Sequence, residues 1–180
     1  ANHEFYGIFL TGDANRAMIE NNEISNIKYD YSGSADYFYG IDLSDGLATV
    51  NNNVIGSAAD TASIRRLNYG SDVSFYGIRV QPTAANRTGH IISNNLISGL
   101  YSPYYSANIR GVSFDGAGAD VQITGNTFSN FYINSSSVYG VYYSTGANNG
   151  LVQNNTLRHF RQLYSGAVYP YYLNLAINST

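Results

Sequence analysis

Three residues combine the side chains and the spacing for polysaccharide chemistry. Asp42, Arg79 and Asp115 follow the glycines of a recurring segment: Gly40-Ile41-Asp42, Gly77-Ile78-Arg79 and Gly111-Val112-Ser113-Phe114-Asp115. An arginine base beside a carboxylate suits an elimination that cleaves an acidic sugar chain. Two carboxylates at a controlled separation suit glycoside hydrolysis. A Ca²⁺ site would need six or more oxygens, usually from several carboxylates. Asp13, Asp45, Asp115 and Asp120 fall in different repeats or turns, so no acidic cluster forms and no metal or other cofactor is expected. Without that cluster, Asp42 and Arg79 are expected to form an exposed cross-strand ion pair of modest worth rather than a catalytic couple. Glu20 and Glu23 read as solvated turn residues.

The aromatic residues offer binding chemistry. Phe5-Tyr6, Phe38-Tyr39 and Phe75-Tyr76 each precede a glycine. Consecutive side chains on a strand point opposite ways, so one file of rings enters the core and the other lies near the surface. A surface file of rings is a platform for sugars. The competing expectation is that Tyr29, Tyr31, Tyr69, Tyr101, Tyr104 and Tyr105, in Tyr-rich insertions, fold over that file and bury it, since exposed aromatic strips are rare. His3, His90 and His159 occupy different places in the repeat, which argues against a shared metal centre.

The elements that must position these groups are repeats. Five segments open with Gly7, Gly40, Gly77, Gly111 and Gly140, at spacings of 33, 37, 34 and 29 residues. Each is followed by an apolar–Asn–apolar segment centred on Asn22, Asn53, Asn95, Asn126 or Asn155. Apolar residues alternate about each glycine (Ile8 and Leu10, Ile41 and Leu43, Ile78 and Val80), the signature of a strand with one buried face. No window carries a helical stripe. Self-similarity at this period defines a solenoid, in which a repeat buries its apolar face only against its neighbours. A leucine-rich repeat also uses a ladder asparagine, but leucine is too sparse here and the period too long.

Ile8, Ile41, Ile78, Val112 and Val141 are expected to stack as one interior file, and Ile24, Ile55, Ile97, Phe128 and Leu157 as another. The five asparagines are expected to stack at corners, tolerating left-handed backbone and bonding amide to amide. Variable insertions follow the Asn strand, at about 28–37, 59–74, 101–108, 132–137 and 161–166.

The pattern Gly-Ile-x-apolar followed by apolar-x-x-Asn-x-apolar resembles the right-handed parallel β-helix repeat of the pectate-lyase-like superfamily. The resemblance covers residues 5–160. It implies an all-β solenoid of about five rungs, three short parallel strands per coil, with long loops after the Asn-ladder strand. That superfamily holds polysaccharide lyases, glycoside hydrolases, phage tailspikes, adhesins and proteins without known activity, so it implies no single function.

Composition narrows the class. The 180 residues suffice for one domain spanning 1–180. The net charge of −3 supplies no basic field for nucleic acid. There is no cysteine, so no disulfide or thiolate site, and no apolar run is long enough to span a membrane. A Tyr-, Asn- and Gly-rich chain whose only lysine is Lys28 suits an exported, bacterial, extracellular or cell-surface protein. The first repeat starts almost at once and Val168–Ile177 reads as a truncated sixth coil, as in a segment of a longer chain. Open rung ends are sheet edges, so end-to-end contact with flanking rungs or a capping partner is expected. Asn86, Asn134, Asn154 and Asn178 match the N-glycosylation pattern. Asp60-Thr61-Ala62 resembles an O-glycosylation motif of Bacteroidetes exported proteins, with Thr61 as acceptor.

The expected function is therefore a non-catalytic structural or binding segment, with a polysaccharide or another surface protein as partner. Phe5, Tyr6, Phe38, Tyr39, Phe75 and Tyr76 are its expected carbohydrate contacts. The alternatives are a polysaccharide lyase or glycoside hydrolase built on Asp42, Arg79 and Asp115, and a tailspike-like segment.

Overall fold

The structure, a computed structural model, describes residues 3–12, 16–29, 36–66, 73–82, 89–103, 108–115, 120–144 and 150–173. Asp13, Tyr31, Tyr69, Tyr104, Tyr105, Asn86, Asn178 and the end of the expected sixth coil lie outside the described residues, as does the side chain of Tyr29.

The chain forms a parallel β-solenoid with three sheets. The first sheet stacks β1 (His3–Thr11), β5 (Asp36–Asp45), β9 (Val73–Val80), β12 (Ile109–Phe114), β15 (Val138–Tyr143) and β18 (Val168–Leu173). The second stacks β2 (Ala17–Glu20), β6 (Ala48–Asn51), β10 (His90–Ser93), β13 (Val121–Thr124) and β16 (Gly150–Gln153). The third stacks β3 (Glu23–Ile24), β7 (Val54–Gly56), β11 (Leu96–Ser102), β14 (Thr127–Ile133) and β17 (Thr156–Gln162). Alongside its far half run β4 (Ile27–Tyr29) and β8 (Ile64–Arg66). Every pairing is parallel. No described helix is long and apolar enough to cross a membrane. Five Asn corners give four turns from first to last, close to the expected five rungs.

The expected interior files form. Ile41 pairs with Ile78, and Val112 pairs with both Ile78 and Val141. Ile97 pairs with Ile55 and Phe128. Ile41, Ile78, Val112, Val141, Ile55, Ile97 and Phe128 have no exposed surface. Burial of each such side chain stabilises by about 1.5–3 kcal/mol relative to exposure.

The Gly file exists for close approach. A Cβ on Gly77 would lie 2.5 Å from the Gly111 carbonyl oxygen and 2.6 Å from Ile97 Cγ2. Pro170 takes the sixth place in this file, since its neighbours Tyr169 and Tyr171 pair with Tyr139 and Val141.

At the corners two residues divide the work assigned to one. The left-handed residue is the one before the ladder asparagine: Asn21, Asn52, Asn94, Gly125 and Asn154, with φ between 55° and 68°. The ladder asparagine supplies the hydrogen bonds. Asn53 donates Nδ2 to Asn95 Oδ1 at 3.0 Å, Asn95 to Asn126 Oδ1 at 2.9 Å, and Asn126 to Asn155 Oδ1 at 3.0 Å. Asn22 starts the series, donating Nδ2 to Asn53 Oδ1 at 2.9 Å. Each backbone N–H along the file donates to the same acceptor.

The expected insertions are partly strand. Third-sheet strands run through a second left-handed residue (Gly99, Asn130 or His159) and continue past it, and Asn26 occupies the same place between β3 and β4. The segment 59–74 contains β8. This second corner turns each strand and creates the outer face considered next.

Candidate functional site

The first sheet carries the residues whose spacing suggested catalysis. Asp42 and Arg79 are neighbours on β5 and β9. Arg79 donates Nε to Asp42 Oδ1 at 2.7 Å and Nη2 to Asp42 Oδ2 at 2.8 Å, a two-pronged bridge. Its Nη1 donates to the Tyr39 hydroxyl at 2.9 Å, and its guanidinium lies 4.0 Å from the Tyr39 ring centre. Asp42 has no exposed surface, so the pair is not the solvated one expected. Burial works to lower the Arg79 pKa, but the hydrogen bonds and charge of Asp42 outweigh it and raise the pKa. An elimination base must give up its proton, and this environment opposes that.

Asp115 does not join them. It accepts from Ser113 Oγ at 2.7 Å and Ser144 Oγ at 3.1 Å, and lies 3.5 Å from Arg110 Nη1. It stands two strands and two residues from Asp42. Strand geometry makes that roughly 12 Å, wider than the carboxylate separations of glycosidases. Among the described residues no group of His, Asp and Glu could hold a metal ion.

Four of the six Phe-Tyr-Gly rings are buried, for two reasons. Phe38 and Phe75 point inward and have no exposed surface, and Phe5 stacks on Phe38 at 5.4 Å. The tyrosines point outward, but at rung spacing each ring stacks on the next: Tyr6 on Tyr39 at 4.9 Å and Tyr39 on Tyr76 at 5.1 Å. Arg79 over Tyr39 and Arg110 beside Tyr76 cover what remains, leaving the two rings only 2 % and 8 % exposed. Burial raises the pKa of both hydroxyls.

The third sheet carries an open cleft of about 420 Å³, lined by Thr61, Tyr101, Asn130, Phe131, Tyr132, His159, Phe160 and Arg161. Phe131 and Phe160 stack at 4.8 Å and anchor its floor to the core. Tyr101 and Tyr132 stand on the outer face, stacked at 4.6 Å and 15°. The Arg161 guanidinium lies 5.6 Å from the Tyr132 ring centre, within cation–π range. The ring faces are turned to one another.

The corner residues add polar groups. Asn130 donates Nδ2 to Ala58 O and Ser98 Oγ, both at 3.2 Å. Its Oδ1 is then left to accept from His159 Nδ1 at 3.2 Å. A neutral His159 so oriented carries its free acceptor on Nε2. Thr61 is exposed at the rim, on a turn held by Asp60 Oδ1 accepting from the Ala62 N–H at 2.9 Å.

The sequence reading missed this cleft because it treated these segments as loop. The signal was a second spacing. Asn26, Gly99, Asn130 and His159 each follow a ladder asparagine by four residues, and Lys28, Tyr101, Tyr132 and Arg161 follow by six. Comparison with protein-family models, curated proteins and solved structures found no match to the chain.

Proposed function

We propose that this chain is a non-catalytic binding segment of an exported surface protein, a rigid solenoid that presents a glycan-binding cleft on its third sheet. The observation that carries the reading is the cleft. Its floor is apolar, and a guanidinium, an imidazole, an amide and two phenols converge over it. A largely apolar surface with a few placed polar groups is the usual form of a small-molecule or sugar subsite. The Tyr-, Asn- and Gly-rich composition supports export, and the three-sheet repeat supports kinship with bacterial pectate-lyase-like β-helices. The locked state of Arg79 and Asp42 favours binding over cleavage. The exposed Val168, Tyr171 and Leu173 of β18 support contact with a capping partner. Thr61 remains the proposed glycan acceptor, supported by its exposure in a turn.

A glycan array probed with the fluorescently labelled chain tests this reading. Retention on a subset of glycans is expected, and Tyr101→Ala and Tyr132→Ala should weaken it while the circular dichroism spectrum is unchanged. Retention on no glycan would overturn the binding reading and leave a spacer.

A further inference from the structure

We propose that a sugar carried on the Thr61 hydroxyl lies in the third-sheet cleft and gates it, an inference that rests on the cleft and on Thr61 as an acceptor, both argued above. The segment that presents Thr61 is pinned to the third sheet on both sides of it. The Ser57 N–H donates to Ser98 O at 3.1 Å, and Asn130 donates Nδ2 to Ala58 O at 3.2 Å. Ser57 Oγ accepts from the Ala59 and Asp60 N–H groups at 3.2 and 3.3 Å. Asp60 Oδ1 accepts from the Ala62 N–H at 2.9 Å, and Ser63 Oγ accepts from the Asn26 N–H at 3.1 Å. Gly99 packs so closely against the turn that a Cβ there would stand 2.3 Å from Asp60 O.

The Thr61 hydroxyl takes no part in this anchoring. Among the described residues nothing hydrogen-bonds it, and the residue is exposed. The Ser57 and Ser63 hydroxyls of the same segment are both engaged. A free hydroxyl on a fixed turn is open to a glycosyltransferase. The donor for that transfer is a sugar linked through its anomeric carbon to a nucleotide or lipid phosphate. The bond from that carbon to the phosphate oxygen breaks, and Thr61 Oγ forms the new bond to the carbon. The phosphate leaves with the electron pair, and the hydroxyl proton goes to a base of the transferase.

Thr61 belongs to the cleft wall, with Tyr132, His159 and Phe160. A sugar joined to its oxygen therefore starts at the rim, beside the apolar floor. The Nδ1 of His159 is turned to Asn130 Oδ1, so the neutral ring keeps Nε2 as an acceptor for a sugar hydroxyl. At about 420 Å³ the cleft lies in the size range of small-molecule sites. The tether makes the contact intramolecular, with an effective concentration on the order of 1 mM for a short linkage. An external ligand for the same subsite is then weakened by one plus the ratio of that concentration to the subsite's own Kd. For a subsite Kd of about 0.1–1 mM the factor is about two- to ten-fold. The modification thus turns an open cleft into a self-occupied one.

The chain contains no cysteine, so an introduced thiol is alkylated alone by an iodoacetyl derivative of glucosamine. Thr61→Cys and Ala59→Cys are alkylated, and each adduct is compared with its own unalkylated variant. Ala59 is exposed on the same turn but is not part of the cleft wall. The first readout needs no external ligand: the rate at which diethyl pyrocarbonate modifies His159, followed by peptide mass spectrometry. The sugar at position 61 should slow it about two- to ten-fold, and the sugar at position 59 should leave it unchanged. The second readout is the glycan array, where retention should fall in the position-61 adduct alone. Equal His159 rates in the two adducts would put the sugar in solvent and overturn the gate, independently of the array. Protection of His159 with an array blank for the parent protein would support the gate and overturn the reading of an external glycan. Mass spectrometry of the chain recovered from its native host tests the acceptor. An added sugar mass on the Thr61 peptide, absent in Thr61→Val, is expected, and a bare Thr61 peptide would overturn the modification.

Discussion

The outer faces of the first and third sheets share one architecture and use it in opposite ways. Both stack side chains at rung spacing, and both mix tyrosine with arginine. On the first sheet Asp42 and Asp115 meet Arg79 and Arg110, and Arg110 lies 3.9 Å from the Tyr142 ring centre. The face closes on itself, leaving Asp42 and Ser113 without exposed surface. On the third sheet the cations have no described carboxylate and the rings border a cleft. Residue type therefore does not separate an open face from a sealed one in a solenoid. The difference lies in whether each charge already has a partner.

Both faces depend on the Asn corners, so the largest effect comes from breaking a corner. Asn126 has no exposed surface, and its Nδ2 also donates to Ile92 O at 2.9 Å. Asn126→Leu orphans that carbonyl and the Asn95 N–H, while Asn155 Oδ1 keeps only the backbone N–H of residue 126. Each buried orphan costs about 1–3 kcal/mol, and together about 3–5 kcal/mol is expected. At this size that lowers Tm by about 6–20 °C. A loss under a few degrees would show that the corners do not set the register.

The next test separates the faces directly. Asp42→Ala strands the Arg79 guanidinium and should cost about 3 kcal/mol, near the lower end for a broken buried pair. Arg79 keeps 16 % of its side chain exposed, so water offsets part of the loss. Arg161→Ala on the third sheet should fall within about 0.5 kcal/mol of the parent protein. Urea unfolding of both variants measures the contrast. Equal costs would erase the distinction between a sealed face and an open one.

This contrast marks how far the sequence was legible. Period-2 alternation and the Gly and Asn spacings sufficed for the solenoid and its interior files, because interior packing is one-dimensional and repeats. The adjacency of Asp42 and Arg79 was also readable from register. Their burial was not, since it depends on Tyr39 and Arg79 folding over the pair. The third-sheet cleft stayed hidden for a different reason. A left-handed Asn130 looks like a loop residue, yet here it bends a strand that continues to Ile133. In the second repeat an insertion separates Arg65 from its ladder asparagine by twelve residues rather than six, which breaks the file in sequence but not in space.

A matched pair of hydroxyl deletions sharpens the comparison. Tyr39→Phe removes the acceptor of the Arg79 Nη1 hydrogen bond and should cost about 1 kcal/mol of stability with no change in glycan binding. Tyr132→Phe keeps its stack on Tyr101 and should leave stability unchanged while weakening glycan binding about five-fold, the equivalent of one hydrogen bond. Calorimetric melting and anisotropy on the two variants give the four readouts. A binding defect in Tyr39→Phe would mean the first sheet also meets the ligand.

The smallest effect is alkaline, and it follows from the closure of the first sheet. The Tyr6 pKa is pushed up to about 12, first by burial and then by the hydrogen bond it donates to Glu4 and the Glu4 charge. Burial likewise raises Tyr143 to about 12. The unfolded chain ionises these phenols near pH 10. The folded state thus holds the proton more tightly, and its contribution is complete below about pH 10. It declines as pH rises from about 10 towards 12, then levels off once the folded phenols ionise as well. Tyrosinate absorbance should therefore titrate later in the native protein than in the urea-unfolded chain. Glu4→Gln removes the charge but not the burial, so the Tyr6 transition should return only part of the way towards 10. A native titration that overlays the unfolded one would show that water reaches these phenols freely, and the sealed face would lose its electrostatic signature.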